Sequence, residues 1–232
     1  MIHKPAILGI LGAIIGLEGY KKNQVLPEYY KKLNIIPIGV KPIGDENGNF
    51  QKTKITYNNT TGMASEEAGG NLIITEQTLI KPSFKIYLLL DLENEYQNEI
   101  YNNIKEQKAD YLPYLGKNDY SLWWDKNEVE EYDEFENLEN IENSYKISTI
   151  FQKSNLTIKD SKEINNNSDL FDFSNLPTEK QFVSFERLPI NFNETLFQYN
   201  YEDFAYSNFE LKKESKFKNL FRLSDNNIVQ LN

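Results

Sequence analysis

The chain reads as an α+β protein in which helices pack on one face of an antiparallel sheet. Three observations predict this: an apolar helical stretch opens the sequence, strand-like segments follow, and a second, amphipathic helix is succeeded by further strands. Of 232 residues, 39% are hydrophobic and 26% charged, so the chain can build a buried core and wholesale disorder is excluded.

The longest apolar run is PAILGILGAIIGL (5–17). As a helix it spans roughly 20 Å, too short for a bilayer core of about 30 Å. MIHK could lead a signal peptide, but Glu18-Gly19-Tyr20 follows instead of a small-x-small cleavage site. A buried helix fits, with Pro5 in its first turn and Gly19 just past its end. Gly9, Gly12 and Gly16 line one face of it, each costing about 1 kcal/mol relative to alanine, so another backbone must pack closely there. Packing of this helix on a sheet is the expectation. A Gly-x-x-Gly RNA clamp needs an exposed loop, which the flanking Ile and Leu oppose.

LPEYYKKLN (26–34) predicts a short helix, and IIPIGVKP (35–42) a strand whose Pro37 marks an edge or bulge. FQKTKITYN (50–58) alternates and reads as a strand, whereas NNTTGMASEEAGG (58–70) has no period and reads as a mobile loop. LIITEQTL (72–79) and SFKIYLLLD (83–91) are strand-like, the second buried on both faces near its end. ENEYQNEIYNNIKEQK (93–108) is an amphipathic helix with Tyr96, Ile100, Tyr101 and Ile104 on one side. Further strands are expected at 145–153, 181–189, 204–212 and 217–224, with an asparagine-rich loop over 160–176. No internal repeat is visible.

There is no cysteine, which excludes a disulfide scaffold, a thiolate metal site and a cysteine nucleophile. His3 is the single histidine, so there is no two-histidine metal site, and no ordinary triad away from the first residues. A net charge of -10 opposes generic attraction to nucleic acid or anionic membranes. The charge is uneven. Residues 125–142 hold nine acidic residues against Lys126 and read as a solvated loop, with no calcium-loop pattern. Residues 1–87 carry ten lysines against seven acids, which permits a phosphate-facing surface there.

ADYLPYLGKNDYSLWW (109–124) combines Pro113, a Gly116-Lys117-Asn118 turn and dense aromatics. It is not a P-loop, since Asn118 stands in place of Ser/Thr and Tyr111 in place of the first glycine. The turn can still donate hydrogen bonds to one phosphate or base. Trp123 and Trp124 either stack on bases, at about 1–3 kcal/mol each, or anchor a core.

In order, HKPAILGILGAIIGLEGY (3–20), TLIKPSFKIYLLLD (78–91) and ADYLPYLGKNDYSLWW resemble the CRISPR-associated Cas-five family, most closely its type I-B branch. FERLPINF (185–192) and NLFRLSDNNIVQLN (219–232) are similar to that branch as well. The resemblance implies a RAMP-type protein with a ferredoxin-like, RNA-recognition-motif-like fold. Residues 1–124 would form its core, with 58–70 as a thumb-like loop. Residues 125–143 would be an acidic loop, and 144–232 a β-rich C-terminal extension of the same domain.

The implied role is a non-catalytic, cytoplasmic subunit that caps one end of the Cascade surveillance complex. It would hold the 5′ handle of the CRISPR RNA against a Cas-seven-type backbone subunit and a Cas-eight-type large subunit. Target DNA would be met only indirectly, with no cofactor, metal or membrane. Carried over residue by residue, the RNA-binding candidates are His3 and Lys4 at the helix entrance with Gly116, Lys117 and Asn118, and Trp123 joins them as a residue able to stack on a base.

Family members carry a strand and an aromatic-basic turn ahead of this helix, so a missing or replaced first strand is expected. Either another segment fills that slot or the sheet is split. Two alternatives remain open. One is an endoribonuclease for precursor CRISPR RNA using His3, as the resemblance to a cutting type I-C branch allows. The other is a structural or secreted β-rich protein with N-x-S/T sites such as Asn155 and Asn193.

Overall fold

The computed structural model describes residues 1–22, 25–45, 47–59, 72–139, 141–153, 156–157, 170–174, 180–213 and 215–232. Most of the loop expected over 58–70 and most of the asparagine-rich stretch therefore lie outside the described residues.

Helix α1 spans Lys4–Ile14. His3 caps its N-terminus: its Nδ1 accepts from the Ala6 amide at 3.3 Å, and Pro5 occupies the first turn, where a missing N–H costs nothing. The helix ends earlier than Gly19. Gly16 adopts φ +69°, the Leu17 amide bonds the Gly12 carbonyl at 2.8 Å and the Gly16 amide reaches Ala13, which makes a Schellman ending. The glycine stripe packs differently from the expectation as well. Gly9 and Gly12 lie against Tyr29 of helix α2 (Glu28–Leu33), and Gly16 lies against Asp110. A helix and a loop, not a sheet, cover the bare face.

Strand β1 (Ile38–Ile43) follows, with Pro37 just outside it and Pro42 within. β2 (Lys52–Asn59) and β3 (Leu72–Leu79) form a two-stranded ribbon in which Lys52 faces Leu79 and Asn59 faces Leu72. β4 (Ser83–Leu88) returns beside β1, with Ile38 opposite Leu88 and Lys41 opposite Lys85. Helix α3 (Glu95–Glu106) starts at Asn94, whose Oδ1 accepts from the Tyr96 and Gln97 amides at 3.1 and 3.3 Å.

After α3 and a short 3-10 turn at Lys126–Glu128, the named elements among the described residues are strands. They are β5 (Phe135–Asn137), β6 (Phe151–Gln152), β7 (Leu156–Thr157), β8 (Phe171–Asp172), β9 (Val183–Asn193), β10 (Gln198–Ser207), β11 (Glu210–Leu211), β12 (Lys216–Phe217), β13 (Leu220–Leu223) and β14 (Ile228–Gln230). All named pairings are antiparallel, and the sheets are small: β1–β4, β2–β3, β6–β10–β9, β11–β8, β12–β7 and β14–β13–β5. The chain is thus α+β with antiparallel sheets and few helices. The strand expected over 145–153 is reduced to Phe151–Gln152 plus single bridges at Tyr145 and Ile147. The expected loop over 160–176 contains β8, whose Phe171 is buried.

β1 and β4 lie between two apolar layers. One face puts Ile38, Val40, Ile86 and Leu88 with Ile7, Leu8, Leu11, Tyr30, Leu33 and Ile100 of the helices. The other face brings Tyr87 to Leu223, Val229 and Leu231. Gly39 is what allows this second contact, because a Cβ there would come within 2.9 Å of the Gln230 carbonyl and 2.8 Å of Leu231. The outer edge of β1 is met by backbone from far along the chain. Ile38 and Asn232 exchange hydrogen bonds at 2.9 and 3.0 Å, and the Ile150 amide donates to Val40 at 2.8 Å. β10 divides two cores: Phe204 and Tyr206 join the helical one, while Ala205 joins Tyr145, Ile147, Phe151 and Phe171.

The acidic stretch is largely exposed, as a solvated segment should be, but it is held in place by ion pairs. Glu130 pairs with Lys85 at 2.6 Å, Glu131 with Lys105 at 2.7 Å and Glu136 with Arg222 at 2.9 Å, so the segment is tacked across β4, α3 and β13. No helix among the described residues is long and apolar enough to cross a membrane.

Candidate nucleic-acid interface

The sequence candidates fall into two groups at opposite ends of α1. His3 and Lys4 stand at its N-terminus. The 109–124 segment is anchored at its C-terminus, where the Asp110 and Tyr111 amides bond the carbonyls of Ile14 and Ala13 at 3.1 and 3.0 Å. Asn103 of α3 adds a third donor, its Nδ2 bonding the Ile14 carbonyl at 3.1 Å. The ten residues from His3 to Ala13 separate the groups by roughly 15 Å at the rise of an α-helix.

In the second group, the Lys117 carbonyl accepts from the Tyr120 amide at 2.9 Å, closing a tight turn in which Gly116 has φ +90°. Lys117 is already engaged. Its Nζ bonds the Glu76 carboxylate and the Tyr57 hydroxyl (2.9 Å) and lies 4.8 Å from the Tyr57 ring centre, tying the turn to the β2–β3 ribbon. Asn118 is exposed. The two tryptophans have separate fates. Trp124 donates its indole N–H to the Ile104 carbonyl at 2.9 Å and packs on the helical core, while Trp123 is 77% exposed.

At the first group, accepting from Ala6 at Nδ1 leaves the imidazole proton on Nε2, so the neutral ring offers a donor outward. Burial, and secondarily the N-terminal ammonium, holds His3 below its ordinary value. Burial also pulls Lys4 down to about 8, with its Nζ donating to the Asn232 carbonyl at 2.9 Å.

Beside them the long β9–β10 hairpin presents an aromatic row that sequence reasoning missed. Tyr199 lies opposite Phe192 in register, their ring centres 4.3 Å apart. His3 meets Tyr199 edge-on at 5.9 Å, Tyr20 meets Phe192 at 6.4 Å, and Tyr201 extends the row past Tyr199 at 6.4 Å. The Arg187 guanidinium sits 5.8 Å from the Tyr201 ring centre. Tyr30 fixes the row from beneath, its hydroxyl accepting from the Phe192 amide at 2.8 Å. Tyr20 and Tyr201 are exposed at 59% and 47%, so ring faces are free to receive a planar ligand. The signal was present in QYNYED, where Tyr199 and Tyr201 are two apart and so share one strand face.

A cavity of about 430 Å³ opens beside the row, with His3, Lys4, Asn34, Asn191 and Asn232 supplying polar atoms over an apolar floor of Ile38, Val40 and Leu188. Glu194 on its rim opposes anions. Among the described residues, no group of three or more His, Asp or Glu side chains could hold a metal ion. The arrangement offers ring faces, amide donors and acceptors, one outward imidazole N–H and two cations. A search of protein-family models finds no match to the chain, and a search of curated proteins finds none either.

Proposed function

We propose that this chain is an RNA-binding subunit without a catalytic role, which holds unstacked bases of a guide RNA on the face formed by His3, Tyr199, Phe192, Tyr201 and Tyr20. The carrying observation is the aromatic row itself. Stacking is tolerant of sequence, is worth about 1–3 kcal/mol per base, and does not require a basic protein overall. The neutral, outward-donating His3 suits a hydrogen bond to a base or phosphate better than proton abstraction.

The finer reading rests on the ordered residue blocks that resemble the type I-B Cas-five branch. On that reading the RNA is the 5′ handle of a CRISPR RNA, the partners are Cas-seven-type and Cas-eight-type subunits of Cascade, and the frame is ferredoxin-like. Two features support such a frame: β1 and β4 are antiparallel, and α1 and α3 both pack toward the same face of that ladder. Of the residues carried over by resemblance, His3 and Lys4 lie at the proposed face. Gly116, Lys117, Asn118 and Trp123 would form a separate contact at the far end of α1.

A gel-shift with repeat-derived RNA tests the reading, comparing the parent with Tyr199→Ala/Tyr201→Ala. At least a tenfold loss of affinity is expected. Equal affinity in the variant, or an assembled complex in which the chain never touches the handle, would overturn it.

A further inference from the structure

A second recess lies elsewhere, in a groove of about 1190 Å³ where the end of β1 meets the C-terminal strands. Five stretches of chain converge on it and bring Lys41, Lys146, Lys180 and Arg222 to its walls. For a chain of net charge -10, four cations around one groove is a local inversion. Two acids also line it. Asp45 is committed to its own turn, its Oδ1 accepting from the Asn47 and Asn49 amides at 3.0 and 2.9 Å, and Glu142 is exposed.

Three of the four cations are uncompensated. Arg222 is paired with Glu136, but Lys41, Lys146 and Lys180 form no ion pair among the described residues. Lys41 also stands directly opposite Lys85 in the β1–β4 register, a like-charge pairing that is unfavourable in a sheet. Lys85 is neutralised by Glu130 at 2.6 Å, and Lys41 is not. Phe182 and Tyr206, with ring centres 5.2 Å apart, give the groove an aromatic wall.

We propose that this groove is a site for linked phosphates, with Lys41, Lys146 and Lys180 as their counter-charges. The ligand is either the phosphodiester backbone of single-stranded RNA or a free polyphosphate chain. The lysines supply compact, mobile donors suited to phosphate oxygens, and a volume of about 1190 Å³ has room for more than one such group. The proposal does not depend on the aromatic face being an RNA site.

Calorimetric titration with inorganic tripolyphosphate, and separately anisotropy with a labelled oligouridylate, tests it. The groove variant is Lys41→Gln/Lys146→Gln/Lys180→Gln, and Lys31→Gln/Lys52→Gln/Lys54→Gln is a control with the same change in net charge. Matching melting curves establish that both are folded. The parent and the control should bind tripolyphosphate, with the groove variant at least tenfold weaker. If RNA is the source, the salt slope of oligouridylate binding should fall by about 2 in the groove variant, from roughly 0.7 per lost single-strand phosphate contact. Loss of tripolyphosphate binding with an unchanged RNA slope would assign the groove to free polyphosphate. Tripolyphosphate binding without any RNA binding would sink the RNA reading and leave the groove standing. A parent that ignores tripolyphosphate, or a groove variant that matches the control, would overturn the proposal.

Discussion

Tyr29 lies across the bare backbone of Gly12: a Cβ built on that glycine would overlap the tyrosine Cβ and stand 3.0 Å from its Cγ. This contact sets the angle at which α2 crosses α1 and so carries Tyr30 to the aromatic row. Gly12→Ala should cost about 1–3 kcal/mol, as overpacking does. Gly9→Ala should be neutral or stabilising by up to about 1 kcal/mol, because its Cβ would meet the Tyr29 ring at an ordinary 3.7 Å and gain helix propensity. Urea unfolding of the two variants measures the contrast, and equal behaviour would refute it.

Gly39 makes the corresponding contact on the other face of β1. Gly39→Ala must push against the Gln230 carbonyl, which is backbone held in the β13–β14 pairing and cannot swing aside as the Leu231 side-chain end can. A loss of about 1–3 kcal/mol is expected, together with faster exchange of the Ile38 and Asn232 amides, each of which donates to the other residue's carbonyl across this junction. Unchanged protection would show that β1 and the C-terminal strands do not dock in this way.

Much of this was legible in the sequence, and the exceptions have causes. Period and capping residues marked α1, α2, α3 and the strands through β4, since each has a strong local signal. The glycine stripe correctly demanded a close neighbour, but sequence could not say that Tyr29, seventeen residues beyond Gly12, would supply it. The ion pairs of the acidic stretch were not visible because Lys85, Lys105 and Arg222 are distant in sequence. His3 was singled out, whereas Tyr199 and Tyr201 were not: the expected strands stopped at 189 and resumed at 204, while β10 begins at Gln198 and so brings both rings onto the sheet.

The two tryptophans should separate in fluorescence. Trp123→Phe should remove most iodide-quenchable emission and change stability by less than about 0.5 kcal/mol. Trp124→Phe should leave quenching largely intact and cost about 1 kcal/mol, since it deletes the bond to the Ile104 carbonyl.

Burial of the α1 entrance has a pH consequence. His3 binds its proton more weakly when folded than the ordinary 6.5, so the unfolded chain protonates first as pH falls, and this contribution to stability erodes below about 6.5. Lys4, at about 8 folded against 10.5 ordinarily, gives up its proton earlier in the native state, so its contribution rises with pH between those values. Lys4→Met should remove the rising limb between pH 8 and 9.5 in denaturant midpoints, with His3→Gln flattening the acid side. A parent-like profile in both variants would contradict the burial argument.

The single imidazole gives the most direct test of the aromatic face. Repeat-derived RNA titrated into the protein at neutral pH, with the His3 ring protons followed by NMR, should shift that resonance in step with RNA occupancy, and the shift should vanish in Tyr199→Ala/Tyr201→Ala. RNA that saturates the protein while the His3 signal stays in place would show that the guide is held elsewhere.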